Sequence, residues 1–224
     1  TSSAGLDVFE DPIKGRTYVC TVDVARGVSK DYSAFTVIDV TKMPFNIVAK
    51  FRNNDIKPLL FPHTIDQVCK AYNHAHVLVE TNDLGQQIAE ALQFELEYDN
   101  LLMTTQRGRA GQILGAGFSG RGSGFGVKMT KQIKKIGCAN IKTLIESDKI
   151  IINDFNIVEE MSTFIRKGQS WQAEDGNTDD LMMCLVIFGW LSNQPFFKEM
   201  TDTNARQMMY EEQQHLIEQD MAPF

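Results

Sequence analysis

Long apolar runs, paired cysteines and a nucleotide-binding loop are all missing from this 224-residue sequence. No apolar stretch reaches the roughly 18 residues of a membrane span. Residues 1–15 lack the basic-then-apolar layout of a secretory leader. The four cysteines (Cys20, Cys69, Cys138 and Cys184) lie more than 40 residues apart, with no C-x-x-C pair. That spacing argues against a zinc ribbon or a disulfide scaffold, and for reduced thiols in a cytosolic setting. The pattern G-x-x-x-x-G-K-[ST] occurs nowhere, so nothing supports nucleotide hydrolysis. No Ser/His/Asp or Cys/His arrangement stands out.

What remains is an ordinary globular composition, 43% hydrophobic and 23% charged, with a net charge of −7. Its length favours one domain, or one domain with a small appendage, and is enough to bury a real core. The ten methionines read as core filler. Residues 1–15 form a polar lead-in. Strand-like runs follow at 17–22, 34–40 and 46–52, then a helical period over 62–73. A short buried strand is expected at 76–80, a helix over 83–98 and a strand at 101–105. Beyond them come a helix over 129–146, a strand at 150–153 and helices over 158–166 and 179–191. This order predicts an α/β fold with a central mixed β-sheet flanked by helices, antiparallel at first and parallel later. From Thr201 onward five acids stand against one arginine, a solvated helix or a docking tail.

Acidic residues occupy positions where acids are costly. Asp23 closes the apolar run 18–22, Glu80 closes 77–79, and Asp179 and Asp180 open an almost wholly apolar helix. Ligands of such sheets bind beyond the carboxyl ends of the strands, so Asp23 and Glu80 meet at one rim if their strands are neighbours. The structural reading is that an Asp after a strand shapes a turn and an Asp at a helix start caps it. Three such residues in order favour a shared site. Asp179 keeps the cap role, Asp180 is the expected ligand, and Asp31 either joins the site or shapes the hairpin. Clustered carboxylates need a cation, and hard oxygen ligands point to Mg²⁺ or Mn²⁺, with two ions as the expectation.

Between Asn100 and Ile145 there is no acid at all, yet there are eight basic residues: Arg107, Arg109, Arg121, Lys128, Lys131, Lys134, Lys135 and Lys142. A local basic field beside a carboxylate site suits a phosphate backbone, against the alternative of a merely solvated helix face. Residues 115–120 spell G-x-G-x-x-G, but no convincing strand leads into them and no helix opens after them. The glycine-rich run 108–126 is instead expected as a flexible loop or hairpin. His74 and His76 read as surface histidines, and Trp171 and Trp190 as packing residues.

Three segments resemble a known family. Thr21-Val22-Asp23-Val24-Ala25-Arg26-Gly27 with Lys30-Asp31-Tyr32, then Val77-Leu78-Val79-Glu80-Thr81-Asn82, then Gly176-Asn177-Thr178-Asp179-Asp180-Leu181-Met182-Met183 are similar to the acidic motifs of the nuclease domain of the large terminase subunit of tailed bacteriophages. Residues 137–138, 148–151 and 185–192 are close to the T-even type, and the resemblance runs from about Arg16 to Ser192. It implies a ribonuclease-H-like fold over 16–200, an acidic tail over 201–224, and a Mg²⁺-dependent endonuclease that cuts concatemeric viral DNA at packaging. By motif the catalytic and metal-binding triad falls on Asp23, Glu80 and Asp180. An ATPase motor domain of the same polypeptide, a small terminase subunit and a portal are implied partners. The implied setting is the host cytoplasm, with this chain expected to be an isolated C-terminal domain. The glycine-rich run is longer than the resemblance leads one to expect. The resulting expectation is a double-stranded DNA endonuclease of low sequence specificity. Its rivals are a DNA clamp with idle carboxylates and a ribonuclease-H or junction-resolvase activity.

Overall fold

The computed structural model describes residues 5–24, 32–108, 111–115, 123–203 and 206. Asp31, Arg109, Arg121 and nearly all of the acidic tail lie outside the described residues.

Three alternating strands, β2 (Tyr18–Asp23), β3 (Ser33–Asp39) and β4 (Phe45–Asn53), pair as an antiparallel meander. Helix α1 (Phe61–Ala71) then crosses over to β5 (His76–Val79), which lies parallel to β2. The crossover is long enough to carry a helix, which parallel pairing requires. Two edge pieces complete a six-stranded sheet in the order β1-β4-β3-β2-β5, with β9 (Ile150–Ile151) also on β4. The strand β1 (Leu6–Val8) lies within the expected polar lead-in: its backbone pairs antiparallel with residues 49–51, and its side chains are only half buried. Three residues of such composition carry too little periodicity to signal a strand.

Period-two alternation divides the sheet's side chains between two layers. Tyr18, Cys20 and Val22 face one layer with α1, α2 (Gly85–Glu90) and the π-helical turn Ala91–Glu95 that continues α2. Val19, Ala34, Ile38 and Leu78 face the other with α3 (Lys131–Glu146), α4 (Phe155–Thr163) and α5 (Asp180–Leu191). Every residue of α5 is buried, because the helix is apolar on all sides and lies between the sheet and α3.

One irregularity re-aims a whole strand end. The β3–β4 register slips between Val37 and Ile38, whose partners are Ala49 and Ile47, so Val48 is the extra residue. Phe45 and Ile47 therefore face the α3–α5 layer, while Ala49 and Phe51 face the α1 layer. Past the bulge, Lys50 and Arg52 point toward α4 and α5.

One open expectation resolves and two change. The described part of the glycine-rich region follows the hairpin alternative: β7 (Gln112–Gly115) and β8 (Ser123–Phe125) flank β6 (Met103–Gln106) in a separate three-stranded sheet. The segment expected as one helix over 158–166 breaks at Phe164. There α4 gives way to an exposed hairpin of β10 (Phe164–Lys167) and β11 (Ser170–Ala173), the two strands joined by a turn with Gly168 at positive φ. The apolar period of α4 runs on by coincidence into the alternation of β10, so periodicity alone could not find the break. The helix expected over 83–98 begins at Gly85 and ends in the π-helical turn.

Helices α3 and α5 cross where Gly137 meets Gly189. An added Cβ would lie 2.2 Å from the Val186 carbonyl oxygen at the first and 2.3 Å from the Gly137 carbonyl oxygen at the second. Asn140 Nδ2 also donates to the Gly189 carbonyl at 3.0 Å. Gly189→Ala is therefore expected to destabilise the chain by roughly 1–3 kcal/mol by overpacking. Gly124→Ala, whose Cβ meets open space, should stay within about 0.5 kcal/mol of the parent. Urea denaturation midpoints of the two variants check this.

Candidate active site

The site begins with the β2–β5 register. Val22 pairs with Val79, so the next residues, Asp23 and Glu80, leave the sheet at the same rim, with the Glu80 N–H donating to the Val22 carbonyl at 2.9 Å. Glu80 is held from outside as well: Val127 N–H donates to the Val79 carbonyl at 2.8 Å and Thr81 N–H to the Val127 carbonyl at 2.9 Å. Gly126 permits this approach, since it sits at φ +68° and a Cβ there would lie 2.2 Å from the Val79 carbonyl oxygen.

The third acid comes from the start of α5. Asp180 is 8% exposed, as is Glu80. Its Oδ1 accepts from Tyr32 N–H at 3.2 Å, and its Oδ2 is buried with no hydrogen-bond partner among the described residues. Asp179 occupies the cap position, and its carbonyl accepts from Met183 N–H at 2.7 Å, yet its side chain makes no capping bond. Its Oδ2 accepts instead from Ala173 N–H at 3.2 Å, tying the β10–β11 hairpin to the helix start.

Asp23, Glu80, Asp179 and Asp180 line one cavity of about 430 Å³, together with Asn82, Thr130, Lys131, Lys134, Trp171 and Gln172. Among the described residues no three acidic, His or Cys side chains are placed close enough together to hold a metal ion as they stand. The electrostatics nevertheless join them. Burial, then the charges of Glu80 and Asp180 and a hydrogen bond to Glu80, push the Asp23 carboxyl well above the usual carboxylate range. Asp180 is pushed up to about 7, by burial first and then by the charge of Glu160, against the opposing Tyr32 amide and Arg52. Hard, crowded carboxylate oxygens, one of them buried and unpartnered, fit a divalent cation such as Mg²⁺ or Mn²⁺.

The basic candidates divide. Lys131 and Lys134, on the first turns of α3, line the cavity, and Thr130 caps that helix by accepting from Ile133 N–H at 3.2 Å. Arg107, Lys128 and Lys135 are exposed and do not line it. Lys142 lies 3.5 Å from Glu146 further along α3. Trp190 is buried in the core as expected, whereas Trp171, read from sequence as a packing residue, lines the cavity from β11. Tertiary folding brings it there, through a hairpin the sequence did not signal. His74 stacks on Tyr98 and His76 meets Phe196, both away from the acids.

Sequence reasoning missed two residues beside Asp180. Glu160, 4% exposed on α4, accepts from Met182 N–H at 2.9 Å and from the Thr178 hydroxyl at 3.1 Å. Arg52 donates to Thr178 Oγ1 at 2.6 Å and lies 3.5 Å from Glu160. An acid three residues after Ile157, on the apolar face of α4, was the one available signal for Glu160. Arg52 carried none, because its facing depends on the bulge.

In the metal-free chain the raised Asp180 pKa sets a sign. A carboxyl that titrates near 3.8 when unfolded and at about 7 when folded costs stability as pH rises between those values, because the folded state holds the proton longer. In EDTA, Asp180→Asn is thus expected to melt at a higher temperature than the parent at pH 7.5. The gap should be on the order of a few kcal/mol and shrink toward pH 4. Thermal melts of both proteins at the two pH values test it.

Residues 20–194 match the family described as the Terminase RNaseH-like domain. Among solved structures, the chain is similar to the large terminase nuclease from thermophilic phage G20c with bound magnesium, at 20% identity and a TM-score of 0.63, covering 84% of this chain and 88% of that one. The same G20c nuclease with bound zinc matches at 19% identity and a TM-score of 0.59, covering 87% and 91% of the two chains. The large terminase nuclease domain of Thermus phage P74-26 matches at 21% identity and a TM-score of 0.60, over 83% of this chain and 84% of that one. The mixed sheet and its flanking helices are those of this fold: the chain is a member of the Terminase RNaseH-like domain family and has the ribonuclease-H-like fold.

Proposed function

We propose that this chain is a metal-dependent endonuclease that cuts concatemeric viral DNA during genome packaging. The observation that carries the reading is the convergence of Asp23, Glu80 and Asp180, from three separate elements, on a cavity that Lys131 and Lys134 also line. Similar folds have been solved with magnesium, cobalt and zinc bound. In this reading Asp23, Glu80 and Asp180 hold the metal, with Asp179 and Asp31 as further candidates. Bound divalent ions, two in this proposal, supply a water nucleophile at neutral pH and stabilise the leaving oxygen of a phosphodiester.

The chain's own residues do the rest. Asp180, with Oδ1 fixed by the Tyr32 amide, keeps Oδ2 free to ligate. Lys131 and Lys134 hold phosphates beside the acids, and Arg107, Lys128, Lys135, Arg109 and Arg121 extend the basic surface. Phosphate contacts position a duplex without reading its sequence, which supports low specificity. We assign the nuclease domain to 16–200, the acidic tail to 201–224, and residues 1–15 as a lead-in that adds β1. Residues 137–138, 148–151 and 185–192 support the T-even affiliation, and with it a motor domain, small terminase subunit and portal as partners in the host cytoplasm. No helix among the described residues is long and apolar enough to cross a membrane.

Supercoiled plasmid incubated with Mg²⁺ should be nicked and linearised, and both EDTA and Asp180→Asn should abolish this. Retention of plasmid in a gel shift with no cleavage in Mg²⁺ or Mn²⁺ would favour the clamp. Preferential cutting of RNA–DNA hybrids or branched DNA would favour the ribonuclease-H or resolvase alternative. Lys131→Ala and Lys134→Ala should each weaken DNA binding alike for unrelated sequences. Each should also lower the slope of log affinity against log salt by about one, measured by anisotropy across a salt series.

A further inference from the structure

Arg52 and Glu160 belong to none of the three acidic motifs, yet they hold the residue that completes the site. Arg52 reaches α4 because the bulge at Val48 turns the end of β4 toward it. Its Nη2 donates to Thr178 Oγ1 at 2.6 Å, and the Thr178 hydroxyl in turn donates a hydrogen bond to Glu160 Oε1 at 3.1 Å. Glu160 Oε2 accepts from Met182 N–H at 2.9 Å, so one carboxylate holds the Thr178 side chain before Asp180 and the Met182 backbone after it. The Arg52 guanidinium lies 4.1 Å from the centre of the Tyr32 ring, and Tyr32 N–H is the donor to Asp180 Oδ1. The two arms, through Thr178–Met182 and through Tyr32, meet at Asp180.

We infer that Arg52 and Glu160 are positioning residues that set Asp180 for metal binding. The inference rests on the nuclease reading above. Glu160 is not itself a ligand in this reading. It is 4% exposed, both of its oxygens already accept hydrogen bonds, and it is absent from the cavity wall. A hydrogen-bonded support of this kind restricts a ligating carboxylate to one orientation, and removing such a partner typically costs about 10–100-fold in metal affinity or activity. Lys50 on the same strand anchors α4 at its other end, 2.6 Å from Asp154, which caps that helix through Ile157 N–H at 2.9 Å. Helix α4 therefore carries Glu160 as a fixed strut rather than a mobile one.

The test uses the whole chain and the variants Glu160→Ala, Glu160→Gln, Arg52→Met and Arg52→Lys. Three readouts are taken: Mg²⁺ binding by calorimetry, plasmid cleavage across Mg²⁺ concentration, and hydrogen exchange of the Tyr32 amide in EDTA. Melting curves identify which variants are folded at the assay temperature. Folded Glu160→Ala and Arg52→Met should bind Mg²⁺ or turn over about 10–100-fold less well, with KM for plasmid unchanged. Their Tyr32 amides should exchange faster. Arg52→Lys keeps the charge but cannot both stack on Tyr32 and bond to Thr178, so it should recover part of the loss. Glu160→Gln keeps the shape and serves if Glu160→Ala does not fold. Folded variants that match the parent in Mg²⁺ affinity, turnover and Tyr32 exchange overturn the inference. If the parent itself neither binds Mg²⁺ nor cleaves, the nuclease reading has failed, and unchanged Tyr32 exchange then overturns the positioning role separately.

Discussion

The parallel pairing of β2 with β5 is the constraint on which the rest of the site depends. Two strands that run the same way end at the same rim, so the residues that follow Val22 and Val79 emerge side by side. Those residues are both acids. Antiparallel pairing would have sent them to opposite edges. The crossover through α1 makes the parallel arrangement possible, and α5 closes it from below. A helix apolar on all sides is buried along its whole length, and its start carries Asp180 to the cavity at the rim.

Burial makes this convergence expensive. A carboxylate taken out of water loses solvation, and neighbours of like charge add to the cost, which is why Asp23 and Asp180 hold their protons to unusually high pH. Such an arrangement is poor economy for a fold and good chemistry for a cation site. The unpartnered Oδ2 of Asp180 is the local form of that tension: an acceptor shielded from water, with no donor supplied among the described residues. Lys131 and Lys134 line the same cavity as the acids, with Lys134 Nζ 5.5 Å from the centre of the Phe164 ring.

Support for the third acid comes from a different direction than support for the first two. Asp23 and Glu80 are held by sheet backbone, whereas Asp180 begins a helix and needs its approach fixed by side chains. Glu160, Thr178, Arg52 and Tyr32 supply that from α4, from the loop before α5, from β4 and from the residue just before β3. A single extra residue, Val48, decides whether Arg52 takes part at all, because a bulge reverses the facing of every position beyond it.

By itself the sequence determined the elements that local pattern can encode. Apolar alternation marked β2, β3 and β4, a helical period marked α1 and α3, and uniform apolarity marked α5. Acids at the borders of apolar runs, three of them in order, marked Asp23, Glu80 and Asp180 as candidates, because the cost of placing charge there is visible without coordinates. It also marked the separation of charge that leaves Lys131 and Lys134 in an acid-free stretch. Among the described basic residues, only the tertiary structure decided that Lys131 and Lys134 line the cavity of the acids, since α3 can present just one stripe of its surface to it. The tertiary structure alone also put Trp171 at the site, paired the described ends of the glycine-rich run with β6, and brought Arg52 to Glu160. Those outcomes depend on a hairpin, a sheet edge and a bulge, all of them pairings between residues distant in the chain, and local periodicity carries no record of the partner.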